Sequence, residues 1–264
     1  MATPEPAETA ARLLVHRDGP VLVMTISNPT ARNAMHPSLY RAAVDALRRV
    51  ADDRAVRAIV LTGEGDHFCG GGDLKRLAAQ RELPRETQAA HLDALHDWAM
   101  AMHDAPQPVI AAVEGAAAGG GFSVCLGCDL IVAAADAKFV MSYVKLALTP
   151  DGGGSDSLAR ALPSQLALEL LLDGGVCTAD RLHALGVVNR VVPHGEALAT
   201  AMAWAQRLAA GPFDAQARIK QLVHAARGRS RRAQLDAERD AFVESLYSEA
   251  CGEGIASFLN TRRG

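Results

Sequence analysis

Two glycine-rich passages constrain this chain more than any other feature. Phe68-Cys69-Gly70-Gly71-Gly72-Asp73 follows an apolar run at 58–61, and Gly119-Gly120-Gly121 follows another at 109–113. Each passage stands where a buried strand ends and a helix begins, so its backbone N–H groups lack intrahelical partners. Glycine there lets a backbone approach a ligand closely. A strand, glycine turn and helix order that occurs twice predicts a mixed α/β body wound as a spiral of similar units rather than a doubly wound sheet. Neither passage matches Gly-x-x-x-x-Gly-Lys-Ser/Thr, and no Gly-x-Gly-x-x-Gly with a downstream acidic partner is present, which removes the nucleotide-binding readings. Two N–H groups meeting at one point instead suit an oxyanion hole, where a carbonyl oxygen is stabilised as it gains charge. Tight turns and close packing would also use such glycines.

The rest of the chain reads around those turns. Residues 12–16 and 21–27 alternate as half-buried strands do, with Asp18-Gly19 between them as a hairpin signal. Helical spacing starts at Pro37 and continues to Val50, Asp73 can cap a short helix, and a long helix is expected over 86–103. Further strands are expected over 129–135 and 138–141. Behind them helical spacing returns at 197–209, 213–226, 231–246 and 254–261. This divides the chain into a loose tail at 1–11, an α/β body at 12–196 and an all-helical region at 197–264, whose apolar faces need the body or another subunit to cover them.

Composition narrows the class. Hydrophobic residues make up 49% and charged residues 22%, the usage of an ordinary folded domain. Basic residues number 27 against 30 acidic ones, so no nucleic-acid partner is expected. The opening MATPEPAETA has neither the basic nor the apolar stretch of a leader, and the most apolar window, 109–135, is interrupted by Glu114, Asp129 and the glycine triplet. No membrane association is expected. Of five cysteines only Cys125 and Cys128 are close in sequence, which fits a reduced, cytoplasmic protein with small buried helix residues better than disulfides or a metal pair. No metal is expected.

The chain resembles the crotonase, or enoyl-CoA hydratase/isomerase, family. The resemblance is carried by Arg32-Asn33-Ala34-Met35, the first glycine passage through Leu74-Lys75, Pro108 to Gly115, Gly119-Gly120-Gly121, Cys128-Asp129-Leu130-Ile131 and Ala135 to Phe139. It continues in Thr149-Pro150-Asp151-Gly152-Gly153, Ala184 to Val188 and Gly254 to Leu259. It implies a crotonase-like spiral of ββα units with a C-terminal helical trimerisation region, assembled as a homotrimer or dimer of trimers. It also implies an acyl-CoA substrate handled through an enolate, with no cofactor besides the CoA that is part of the substrate.

Carried over residue by residue, the resemblance places the oxyanion-hole amides on Gly72 and Gly120. The two glutamates of the family's hydratases fall on Ser123 and Tyr143, neither of which is a carboxylate. Asp151 falls where the family's isomerases carry a proton shuttle, although an Asp before three glycines could also cap the next helix. These positions imply double-bond isomerisation by one Asp; hydration, hydrolysis, ring transformation or silent CoA-ester binding are the alternatives. Tyr143 is a core residue or a partner in catalysis. Arg32, Ala34, Gly70 and Lys75 are the implied CoA contacts, with Phe242, Arg262 and Arg263 reaching CoA from a neighbouring subunit; a solvated helix-surface lysine accounts equally for Lys75, and core packing and a solvated C-terminal helix end for the other three. His91, His96 and His103 lie on the helix that lines the family's acyl pocket, and a solvated polar face accounts for them more simply.

Overall fold

The computed structural model describes residues 11–261. The expected loose tail, Ala11 apart, and the arginines Arg262 and Arg263 lie outside them. β1 (Arg12–Asp18) and β2 (Val21–Ser27) form the hairpin, with Asp18 opposite Val21 and Arg12 opposite Ser27. Gly19 takes φ +56° in the turn, the left-handed region that only glycine enters without strain. The half-buried alternation is not observed in either strand. β1 is exposed along nearly its whole length, and β2 is buried on both faces.

Position in the sheet explains the difference. β1 forms one edge of a six-stranded sheet of order β1-β2-β3-β4-β6-β9, in which β3 (Ala58–Gly63), β4 (Val109–Val113), β6 (Leu130–Ala134) and β9 (Arg190–Val192) run parallel to β2. A parallel sheet covered on both faces needs apolar residues at every position, not at alternate ones. Leu22, Met24, Ile59, Leu61 and Ala111 accordingly join the larger core, while Val23, Val60, Ile110 and Ala112 point to the opposite face.

The larger core is closed by α1 (Pro37–Val50) and α3 (Arg85–Asp104). Trp98 of α3 is fully buried and stacks on Tyr40 of α1 with ring centroids 6.2 Å apart. Trp98→Ala is therefore expected to destabilise the fold by ~3–5 kcal/mol, read as a lower urea midpoint at unchanged slope.

The opposite face is covered by α8 (Ala197–Ala209), which lays Ala197, Ala201, Ala205 and Ala209 against the strands. Methyl-sized side chains four residues apart let the helix axis approach the sheet closely. The first helix of the 197–264 region thus contributes to the packing of the sheet itself.

A second sheet gives the fold its spiral. β5 (Ala116–Ala118), β7 (Lys138–Val140) and β8 (Val176–Thr178) make three strands with β7 central. The chain passes from β4 to β5 to α4 (Gly120–Leu126), then from β6 to β7 and on to α5 (Gly154–Ala161). Each turn contributes one strand to each sheet and then a helix. α6 (Ser164–Asp173) and α7 (Ala179–Ala184) complete the body, and α9 (Phe213–Ala225), α10 (Arg231–Leu246) and α11 (Glu249–Thr261) follow α8.

Lys220 of α9 is buried. Its Nζ donates to the Met102 and Gln107 carbonyls at 2.8 and 3.1 Å and lies 2.8 Å from Asp129 Oδ2. That carboxylate also accepts from the Val109 N–H at 2.7 Å, so one ion pair ties α9 to the start of β4. Beyond it, Phe242 of α10, Tyr247 just after it, and Phe258 and Leu259 of α11 are exposed. No helix among the described residues is long and apolar enough to cross a membrane.

Candidate active site

The two glycine passages are drawn together by backbone pairing. The Cys69 N–H donates to Ala116 O at 2.9 Å and the Ala118 N–H to Cys69 O at 2.9 Å, which docks the first passage on β5. From the other side, Met35 N donates to Gly71 O and Gly70 N to Arg32 O. Buried Asn33 secures this segment. Its Nδ2 donates to the Glu64 and His67 carbonyls, at 2.9 and 2.6 Å, and its Oδ1 accepts from the Asn28 N–H.

At the meeting point backbone approaches backbone. A Cβ on Gly71, at φ +94°, would lie 2.6 Å from Ala118 O and 3.4 Å from Gly120 N. Only glycine fits there. The Gly70, Gly71 and Gly119 amides are all engaged, the last with Val140 O. Among the described residues, the Gly72 and Gly120 amides have no acceptor. Both glycines line a cavity of about 350 Å³, so two unengaged donors border one enclosed space.

Asp151 lines the same cavity. Its Oδ1 lies 3.5 Å from where a Cβ on Gly120 would stand. It does not cap the next helix, because α5 begins after Gly153 with no side-chain cap. Instead its Oδ1 accepts a 2.6 Å hydrogen bond from the Tyr143 hydroxyl. With that proton committed, Ser123 Oγ, 3.0 Å from Tyr143 Oη, donates to the phenol oxygen. Gly152 and Gly153, at φ +57° and +84°, turn the chain behind Asp151. A Cβ on Gly154 would stand only 2.4 Å from Ser123 Oγ, so glycine at 154 lets the chain pass close against Ser123.

Electrostatics separate the roles of these groups. Burial pushes the Asp151 carboxyl above its ordinary value, and the Tyr143 hydrogen bond and nearby His96 partly offset this. Burial first, and then the Asp151 charge, push the Tyr143 phenol upward, so it remains a neutral donor. Asp151 is thus a carboxylate held in place by one hydrogen bond and made more basic by its surroundings. Burial pushes the Cys69 thiol up to about 12 and raises Cys125 as well, and neither residue lines the cavity.

The other residues singled out in the sequence separate into two groups. Gly70 and Tyr143 line the cavity. Arg32, Ala34, Lys75 and Phe242 do not, and Lys75 and Phe242 are exposed on α2 (Leu74–Gln80) and α10. Asp73 caps α2 by accepting from the Lys75 and Arg76 amides. His91 departs from the solvated-face expectation, since it lines the cavity. His96 and His103 are exposed, and the His103 ring stacks on His224 with centroids 4.4 Å apart.

The resemblance implied that α3 lines a pocket, but the particular residues of the wall built by α2 and α3 were not legible. Arg76, Leu77, Gln88, Leu92 and Leu95 line the cavity together with His91. On α3 the recurrence of 88, 91, 92 and 95 at helical spacing is the one signal that could have placed them on a common face.

The comparisons agree with this architecture. The family described as enoyl-CoA hydratase/isomerase matches residues 16–264. Enoyl-CoA hydratase EchA19 of Mycobacterium tuberculosis is 35% identical over 272 residues, 99% of this chain and 97% of the relative. The 1,2-epoxyphenylacetyl-CoA isomerase of Escherichia coli is 32% identical, covering 95% of this chain and 96% of the relative. A crystal structure of an enoyl-CoA hydratase from Polaromonas sp. JS666 superposes with a TM-score of 0.93 at 48% identity, over 95% and 97% of the two chains. The chain belongs to the enoyl-CoA hydratase/isomerase family, and its fold is the crotonase fold.

Proposed function

We propose that this protein moves a double bond along an enoyl-CoA thioester, with Asp151 as the proton carrier. The observation that carries the reading is that Asp151 is the one carboxylate among the described residues lining the cavity, and that the two glycines with unengaged amides line it too. The thioester oxygen would accept from the Gly72 and Gly120 N–H groups. Asp151 would take a proton from the carbon next to the carbonyl. The electron pair left by that C–H bond spreads over the neighbouring double bond and onto the oxygen, giving a dienolate. The new carboxylic acid then returns the proton two carbons further along, and the double bond is left in conjugation with the thioester. No water and no second carboxylate enter the sequence. Each amide can supply ~3–4 kcal/mol of stabilisation to the developing oxyanion.

Hydration requires one group to activate water and another to deliver its proton, and Ser123 and Tyr143 do neither. Hydration of a simple 2-enoyl-CoA is therefore expected to be far slower than the ordinary enzymatic range. A measured hydration turnover of ~10–1000 per second would overturn the isomerase reading. The direct test is conversion of a 3-enoyl-CoA to its 2-enoyl isomer, followed by absorbance of the conjugated thioester.

The exposed apolar side chains of α10 and α11 support assembly as a trimer or a dimer of trimers. Such faces need a second surface to cover them. Light scattering at micromolar concentration is expected to give three or six times the chain mass, and a monomer would remove the proposal.

A further inference from the structure

One wall of the cavity holds a half-buried arginine with two donors unmet. Arg76 lines the cavity, and its Nε and Nη1 are fully buried without a hydrogen-bond partner. Among the described residues no carboxylate lies within ion-pair distance of it, although exposed arginines elsewhere find one readily. Buried guanidinium N–H groups with no acceptor are costly unless something pairs with them. Its planar fork matches a carboxylate through two parallel hydrogen bonds.

The neighbours of Arg76 are suited to the same occupant. Gln88, also on the wall, has a buried Oε1 with no partner. Its amide has oxygen and nitrogen ends of nearly the same shape, so a half-turn about its last bond would present the Nε2 donors instead. Gln80 Nε2 lies 2.7 Å from His91 Nδ1. With the amide so placed, Nδ1 accepts and the ring proton sits on Nε2, so the neutral ring keeps one donor. Burial, and after it the charge of Arg76, hold His91 below its ordinary value, which keeps a second cation away. Leu77, Leu92 and Leu95 line the same space and leave room for a chain of methylenes.

From this arrangement we infer that the preferred acyl group carries a carboxylate at its far end, received by Arg76 with Gln88 and His91 beside it. The substrate class is then an ω-carboxyacyl-CoA, a thioester of a dicarboxylic acid. The inference rests on the acyl-thioester reading of the cavity and adds its specificity.

The test is binding without turnover. Calorimetry would compare glutaryl-, adipoyl- and suberoyl-CoA with pentanoyl-, hexanoyl- and octanoyl-CoA, on the wild type and on Arg76→Met and Arg76→Lys. At least one carboxylated ligand is expected to bind the wild type ~10-fold or more tightly than its plain partner of equal length. Arg76→Met is expected to abolish that preference while holding plain acyl-CoA within about threefold of wild type, which also reports that the variant is folded. Arg76→Lys keeps the charge but not the fork and is expected to fall between. Equal or weaker binding of every carboxylated ligand by the wild type would overturn the inference, as would an Arg76→Met variant that weakens both series alike. A carboxylate preference in a protein that isomerises no enoyl-CoA would sink the proposed reaction and leave this inference standing. Asp151-dependent isomerisation with no carboxylate preference would do the reverse.

Discussion

Asp151→Asn is expected to lower isomerase turnover by ~100- to 10,000-fold while leaving acyl-CoA affinity nearly unchanged. Asn keeps the shape and still accepts from the Tyr143 hydroxyl, but it cannot carry the proton. The same substitution should make the protein harder to unfold. Burial raises the carboxyl of Asp151 in the folded state above its ordinary value, so between the two values the folded chain binds more protons than the unfolded one. Stability therefore falls as pH rises through that window, and above it the folded protein holds an ionised carboxylate in surroundings that disfavour the charge. Asn removes that unfavourable charge. Lost turnover combined with a higher melting temperature at neutral pH is the signature of a strained catalytic group; a lower melting temperature would mark Asp151 as structural. In the wild type, kcat/KM should fall as pH drops through a value above that of an ordinary carboxylate, because the base must be ionised to accept the proton.

What the sequence could disclose follows from how local each feature is. The glycine passages, the Asp73 cap and the start of α1 at Pro37 depend on neighbours a few residues away, and they stand where spacing and turn chemistry put them. Asp151 stood out through its Thr-Pro-Asp-Gly-Gly setting and Tyr143 through its place in the family's pattern, but the hydrogen bond between them did not. That Tyr143 donates to Asp151 rather than merely packing depends on the 3₁₀ turn Ser142–Leu146, which carries no periodic signal. The burial of β2 on both faces depends on α8, which comes some 170 residues later in the chain. The alanines of α8 have the small size that close packing on a sheet requires, yet the same stripe suits a subunit contact. The cavity wall was the least legible part. Arg76, Gln88 and His91 sit among charged and polar residues of α2 and α3 that look solvated in one dimension, and only the fold brings them to line one cavity with the glycine passages.

Gly120→Pro removes a donor that every enolate reaction of this site would share, and its ring also stands beside Asp151 Oδ1, 3.5 Å from the new Cβ. Gly120 is the first residue of α4, where proline is tolerated because the N–H has no intrahelical partner. The preceding Gly119, at φ +50° and ψ −125°, has the mirror image of the extended geometry that a residue before proline prefers, which glycine can adopt. The nearest atom to a new Cβ is the flexible Met35 Cε at 2.9 Å. The helix should therefore survive while one of the two oxyanion donors is lost. Turnover is expected to fall by ~100- to 1000-fold with any acyl-CoA the enzyme accepts, and the circular dichroism spectrum should be retained. The two variants are informative together. Loss of activity in both supports a dienolate held at Gly72 and Gly120 and served by Asp151. Loss in Gly120→Pro alone would keep the oxyanion hole and remove Asp151 as the base, making Tyr143 or His91 the next group to replace. Full activity in a folded Gly120→Pro variant would show that no thioester oxygen rests on that amide, and the chemistry would then have to be sought away from the junction of the two glycine passages.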